Sequence, residues 1–186
     1  MYPSPYGMPA APPPPPPPLP GPRPETVNIA TWIQFGVAGL VVVQAVFQII
    51  SLSRTEYYSD SAFSAAVMGS VISTLISVAL IISVALMTRS GVNGWRVAGT
   101  VCASLAVLGG LTSMTSLTVL PSWALGVGSH EGDFIIINMV LTGLHAAAAI
   151  ATIMLWWSSA SSRWFDAWSA VRRFAKAYNI PVPPIS

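Results

Sequence analysis

Apolar residues fall into four long runs, at about residues 27–52, 63–87, 95–120 and 134–157, separated by short polar connections. At 1.5 Å per residue each run is roughly 35–40 Å long as a helix, enough to cross a hydrocarbon core of about 30 Å with some tilt. No charged residue falls near the centre of any run. β-Branched clusters such as Val41-Val42-Val43 and Ile135-Ile136-Ile137 favour strands in water. The runs nevertheless lack the alternation of a barrel strand and have the length of a membrane helix. The pattern predicts an all-α membrane protein whose body is a four-helix transmembrane bundle over residues 27–157.

Composition agrees. Of 186 residues, 53% are apolar and 8% charged, against roughly a quarter charged in an ordinary soluble domain, so the charged groups cannot cover a water-exposed surface. A formal charge of +2, with aromatics not interleaved among basic residues, argues against a nucleic-acid partner. The single cysteine, Cys102, leaves no internal disulfide and no thiolate zinc site, and reads as a small packing residue.

Two segments flank the body. Residues 1–24 hold 13 of the 17 prolines, including Pro12 to Pro18, so residues 1–26 are expected to be a disordered cytoplasmic tail of polyproline II character. Such a tail serves as a spacer or as a ligand for aromatic grooves, and it lacks the features of a secretory signal. Residues 158–186 form a basic segment. Within it, Trp164, Trp168, Val171, Ala175 and Tyr178 recur at helical spacing, with Arg172, Arg173, Lys176 and Asp166 opposite. This pattern predicts an amphipathic interfacial helix lying on an anionic leaflet, with Trp164, Trp168, Arg172, Arg173 and Lys176 touching the membrane surface. Docking onto a partner is the other reading.

Charge in the connections sets the orientation. Arg23, Arg89, Arg96, Arg163, Arg172, Arg173 and Lys176 fall on one side, and Arg54, Glu56, Asp60, Glu131 and Asp133 on the other, which places both termini in the cytoplasm. Trp32, Tyr57, Tyr58, Trp95, Trp123, Trp156 and Trp157 lie near the ends of the runs and read as headgroup anchors.

Candidate chemistry is sparse. His145 lies near the middle of the fourth run with Asn138 two turns before it, and Gln34, Gln44 and Gln48 of the first run and Ser70, Ser73, Thr74 and Ser77 of the second supply further polar groups. An intramembrane ionisable group marks a functional hypothesis. A neutral histidine and amides can also simply hydrogen-bond across helices. Gln44, Asn138 and His145 are therefore the candidate polar intramembrane residues. No span carries an Asp or Glu near its centre, and no nucleophile–base pair or phosphate loop is present, so neither a proton-driven transporter nor an enzyme is expected. His130, Glu131 and Asp133 cluster in the outer loop from Pro121 to Asp133 without a metal-binding spacing. No cofactor is expected. Small residues at four-residue spacing, Cys102, Ala106 and Gly110 in the third run and Gly143, Ala147 and Ala151 in the fourth, predict close helix contacts inside the bundle or between copies.

The tail running into Arg23-Pro24-Glu25-Thr26-Val27, followed by Ala30, Trp32 and Gly36, resembles the start of small uncharacterised actinobacterial integral membrane proteins. The link Asn93-Gly94-Trp95-Arg96 is similar to the basic, tryptophan-containing turn between their second and third spans. The resemblance implies a bacterial plasma (inner) membrane and a tetraspan fold, and carries no activity or site residue. The expected function is a structural or accessory component of a membrane assembly, working through contacts with lipid, with a membrane-protein partner or with itself. A small oligomeric channel or transporter with a polar path near His145 is the alternative, and a membrane sensor or exclusion protein a minor one.

Overall fold

The computed structural model describes the backbone of residues 14–53, 60–118 and 130–184 and, within these, the side chains outside 51–52, 109–118 and 130–135. The described residues are all-helical: α1 (Glu25–Ser53), α2 (Asp60–Thr88), α3 (Asn93–Thr118), α4 (His130–Trp156) and α5 (Ser159–Tyr178), with no strand among them. Among the described residues, the four apolar runs fall on α1, α2, α3 and α4 in turn, the last ending one residue past α4. Three stretches are long and apolar enough to cross a membrane: Glu25–Ile50, Asp60–Thr88 and Ile136–Trp156, with mean hydropathies of 2.0, 2.4 and 1.8. Their outer faces are apolar, as Val46, Leu75 and Met154 illustrate at 50%, 64% and 70% exposure, a surface suited to lipid rather than water.

The first four helices form a ring in chain order. Each packs on its two neighbours, and the diagonal pairs α1–α3 and α2–α4 do not meet among the described residues. Tight packing is concentrated at the end of the ring where α1 and α3 begin and α2 and α4 finish. There Ala30, Val84 and Trp156 form a buried cluster, and Thr31, Thr88 and Thr152 are buried beside it. These threonines cause no polar deficit, because each hydroxyl donates to a carbonyl one turn back in its own helix, as in Thr31 to Val27 O at 2.8 Å. Gly99 is required for this closure. A Cβ there would lie 2.6 Å from Trp156 Cζ3 and 2.7 Å from Val84 Cγ1.

Helix α5 folds back under the same end. Ser158 caps it, its side chain accepting from Ser161 N, and Asn179 ends it in the left-handed region at φ 52°. Its apolar face covers α1 and the α2–α3 turn, burying Trp164, Phe165, Trp168 and Val171 against Val27. The Thr26 hydroxyl meets Ser161 Oγ at 2.8 Å, and Arg172 donates to the carbonyls of Gly91, at 2.7 Å, and Ser90. The two indoles expected at the lipid surface thus lie inside the chain, Trp164 at 5% and Trp168 at 4% exposure. An amphipathic face can be buried by its own protein as well as by a bilayer, and here a basic turn with two free carbonyls lies within reach. Trp156 likewise differs from its expected place in the headgroup layer. It is fully buried, while Trp157, about 100° further around the helix, is 47% exposed.

Gly91 permits this docking through two properties: its φ of +66°, and contact distances of 3.1 Å from its virtual Cβ to both Trp164 and Trp168. Gly91→Ala is expected to cost about 1–2 kcal/mol, lowering the thermal midpoint of the purified protein. Gly94→Ala, where the nearest outside atom is 3.9 Å away, should leave the midpoint within about a degree, since alanine suits the first helical turn.

Several sequence features fall outside the described residues: tail positions 1–13, the connections with Arg54, Glu56, Tyr57, Tyr58 and Trp123, and positions 119 and 120 of the third run. The same holds for the surroundings of Gly109 and Gly110 and for the side chains of Ser113, His130, Glu131 and Asp133.

Candidate functional site

Beyond the closed end the four helices separate around a cavity of about 800 Å³. Its polar walls follow from helical register. On α1, Gln34, Gln44 and Gln48 fall within fourteen residues, close to four whole turns, so they share one face. On α4, Asn138, Thr142 and His145 recur at the i, i+4, i+7 positions, and on α2 Ser73, Thr74 and Ser77 do the same at i, i+1, i+4. Helix α3 contributes Gly99, Cys102, Ala103 and Ala106, whose small volumes leave the space unfilled. All three candidates read from the sequence, Gln44, Asn138 and His145, line this one cavity, as do Gln34 and Gln48.

The hydrogen bonding is specific. Gln44 Nε2 donates to Thr142 Oγ1 at 3.3 Å, joining α1 to α4 across the cavity. One turn beyond that pair on each antiparallel helix lie Gln48 and Asn138, and the Asn138 Oδ1 atom is buried without a hydrogen-bond partner. The α2 hydroxyls turn their protons back to their own helix: Ser73 Oγ and Thr74 Oγ1 both donate to Ser70 O, at 3.0 and 2.7 Å. Their oxygen lone pairs remain available to the cavity. Among the described lining residues none is Asp, Glu, Lys or Arg. The site can therefore hold a neutral hydrogen-bonding group, while a charged one would lose its hydration without finding a counter-ion.

The small-residue positions of α4 lie mostly on its outer side: Gly143 and Ala147 are exposed and Ala151 is half-buried, and a Cβ on Gly143 would meet nothing within 4 Å. Cys102 and Ala106 are exposed along α3.

At the basic end, Arg96 is a second concentration of interactions, which its place in a short basic connection does not announce. It is 4% exposed, and its guanidinium stacks over Trp157 at 4.1 Å and Phe165 at 5.0 Å. It also donates to Ser162 Oγ at 3.2 Å and Trp156 O at 3.5 Å. Trp157 Nε1 in turn donates to Thr100 Oγ1 at 2.9 Å. Nearby, burial first and then the charge of Arg89 hold the Arg23 guanidinium below its ordinary value. Arg163, Arg173 and Lys176 point outward from α5, so a basic surface covers this end of the bundle, while Arg172 is half-buried in the turn contact described above.

No protein-family model matches the chain, and no curated protein or solved structure shows a match to it. Fold and site together define an all-helical protein with three helices of membrane-spanning length and apolarity, a ring of four helices around an uncharged polar cavity, and a fifth helix bracing one end.

Proposed function

We propose that the chain is a four-span integral membrane protein of the bacterial plasma membrane, with both termini cytoplasmic, that acts as an accessory binding component and holds a small uncharged ligand among its four helices. The observation that carries this reading is the cavity, to which all four helices contribute, polar on α1, α2 and α4 and without a charge. α3 is the fourth span because it joins the ring alongside the other three and its apolar run is as long as theirs. The orientation rests on seven of the eight basic residues, which the fold gathers at the α5 end. The outward residues Arg163, Arg173 and Lys176 suit anionic headgroups, at about 1 kcal/mol each near the surface. The outward Gly143 and Ala147 suit close approach of a membrane-protein partner or a second copy.

Extraction in mild detergent, followed by mass spectrometry of proteins and small molecules that copurify, tests both halves of the proposal. A retained uncharged molecule in fixed ratio, lost in Gln44→Leu and His145→Leu, is the expected outcome, with stability changed by no more than about 1–2 kcal/mol per substitution. Absence of any bound small molecule from the wild type would refute the ligand-holding role, and absence of any protein partner or self-association the accessory one.

The channel reading draws on the same residues, since the polar positions run about 21 Å along α1 from Gln34 to Gln48. It requires the buried Ala30, Val84 and Trp156 cluster to open, and for that reason binding is the better-supported function. Reconstituted vesicles decide it. A conducting path predicts pH-dependent flux that His145→Ala alters, and equal flux in wild type, variant and empty vesicles would dispose of it.

A further inference from the structure

The cavity has a side opening as well as a closed end. At the Ala30, Val84 and Trp156 cluster all four helices close around Gly99. Further along, α2 and α3 pack together more sparsely than any other neighbouring pair of the ring among the described residues. Among the described lining residues the exposed ones concentrate on these two helices, with Ser73 and Leu80 on α2, the latter 56% exposed, and Cys102 and Ala106 on α3, against Gln48 alone on α1 and Met139 alone on α4. Exposed lining residues gathered along a sparsely packed seam mark a portal there. Because α2 crosses the bilayer in the proposed arrangement, this portal faces lipid rather than water.

The walls constrain what passes through it. Ser73 Oγ and Thr74 Oγ1 have committed their protons to Ser70 O, and Asn138 Oδ1 is buried without a partner, so these three oxygens stand ready to accept from a guest. A guest that donates a hydrogen bond satisfies the buried Asn138 oxygen. It must also be uncharged, because the described lining supplies no counter-ion and burying a lone charge is costly. Val37, Val41, Leu80 and Ile81 give the remaining wall an apolar surface. The volume, about 800 Å³, lies within the roughly 300–1,000 Å³ typical of small-molecule sites.

We propose that the cavity binds a bilayer-borne amphiphile with an uncharged hydroxyl head, of the diacylglycerol or long-chain alcohol class, which enters sideways between α2 and α3 with its head toward Asn138 and Gln44 and its tail left in the portal. The proposal rests on the ligand-holding reading above and specifies its ligand and route.

Cys102 is the chain's only cysteine and is exposed at the portal rim, so it reports occupancy without any substitution. The test uses the full-length protein in dodecylphosphocholine micelles, whose head carries charge and no hydroxyl, with three probes: dioctanoylglycerol, dioctanoyl phosphatidic acid with the same tails and a charged head, and glycerol as the head alone. Saturating dioctanoylglycerol is expected to slow the reaction of Cys102 with N-ethylmaleimide about fivefold or more and to raise the thermal midpoint by several degrees, since a ligand of the folded state stabilises it. The other two probes should do neither. Asn138→Leu should weaken the protection about tenfold, and Ala106→Trp should abolish it by filling the portal. Equal protection by phosphatidic acid would overturn the uncharged head. Equal stabilisation by glycerol would overturn the amphiphile and its sideways route while leaving a ligand-holding cavity intact. Failure of all three probes on the wild type overturns the proposal, and the broader reading falls with it only if no small molecule copurifies either.

Discussion

Trp156→Ala is expected to lower the stability of the folded protein by about 3–5 kcal/mol, the range for truncating a fully buried aromatic side chain. Trp156 has 0% exposure and packs with Ala30 and Val84, and its ring edge fills the space over Gly99 that a Cβ would need. Denaturant titration in mixed micelles, followed by the loss of helical signal, measures the change. Trp156→Phe separates packing from hydrogen bonding. The Trp156 Nε1 atom has no hydrogen-bond partner, so phenylalanine should restore more than half of the lost stability. The same substitution also probes the cavity. Removing the indole joins the cavity to the space above α5, so Trp156→Ala vesicles should become leaky to small solutes if the plug is what closes this end. An alanine variant as stable as the wild type would mean that the cluster does not hold the helices together.

Much of this arrangement is legible in the sequence because membrane helices obey two simple constraints. Apolar runs must be long enough to cross the hydrocarbon, and polar side chains within them must turn away from lipid. The runs therefore locate α1, α2 and α4, and helical register alone puts Gln34, Gln44 and Gln48 on one face and Asn138, Thr142 and His145 on another. That Gln44, Asn138 and His145 line one cavity follows once those faces turn inward. The basic end is less legible. Amphipathicity shows that α5 must bury a face but not against what, and the occupant turned out to be Val27 and the Ser90-Gly91 turn of the same chain. Two signals pointed there, a glycine at the turn and aromatics spaced to meet it, yet both are equally expected of a helix lying on a bilayer. Trp156 and Trp157 show the same limit, since composition identifies an edge aromatic and only packing decides which of two neighbours turns inward. Gly99 gives no warning at all, because glycine is common in membrane helices and its necessity appears only against the Trp156 ring.

Arg96 is where these constraints meet, and its replacement carries the second large effect. A guanidinium at 4% exposure is tolerable only when its charge and donors are engaged. Here two aromatic faces, Trp157 at 4.1 Å and Phe165 at 5.0 Å, accept the cation, and Ser162 Oγ and Trp156 O both accept from Nη1, while Nε is buried without a partner. These partners belong to α4, to its junction with α5 and to α5 itself, so one side chain rooted on α3 joins three helices. Arg96→Ala should cost about 2–4 kcal/mol, combining lost stacking, lost hydrogen bonds and the space left by the aliphatic stem. Arg96→Lys should recover less than half of that, because an ammonium has no planar face to lie on Trp157 and Phe165. Pairing Arg96→Ala with Phe165→Leu in a double-mutant cycle isolates the stacking, and the two losses are expected to fall short of additivity by about 1 kcal/mol. Full recovery by lysine would reduce Arg96 to a point charge at the membrane edge. Partial recovery would identify it as the element that fixes α5 to the bundle, and thereby keeps the closed end of the cavity closed.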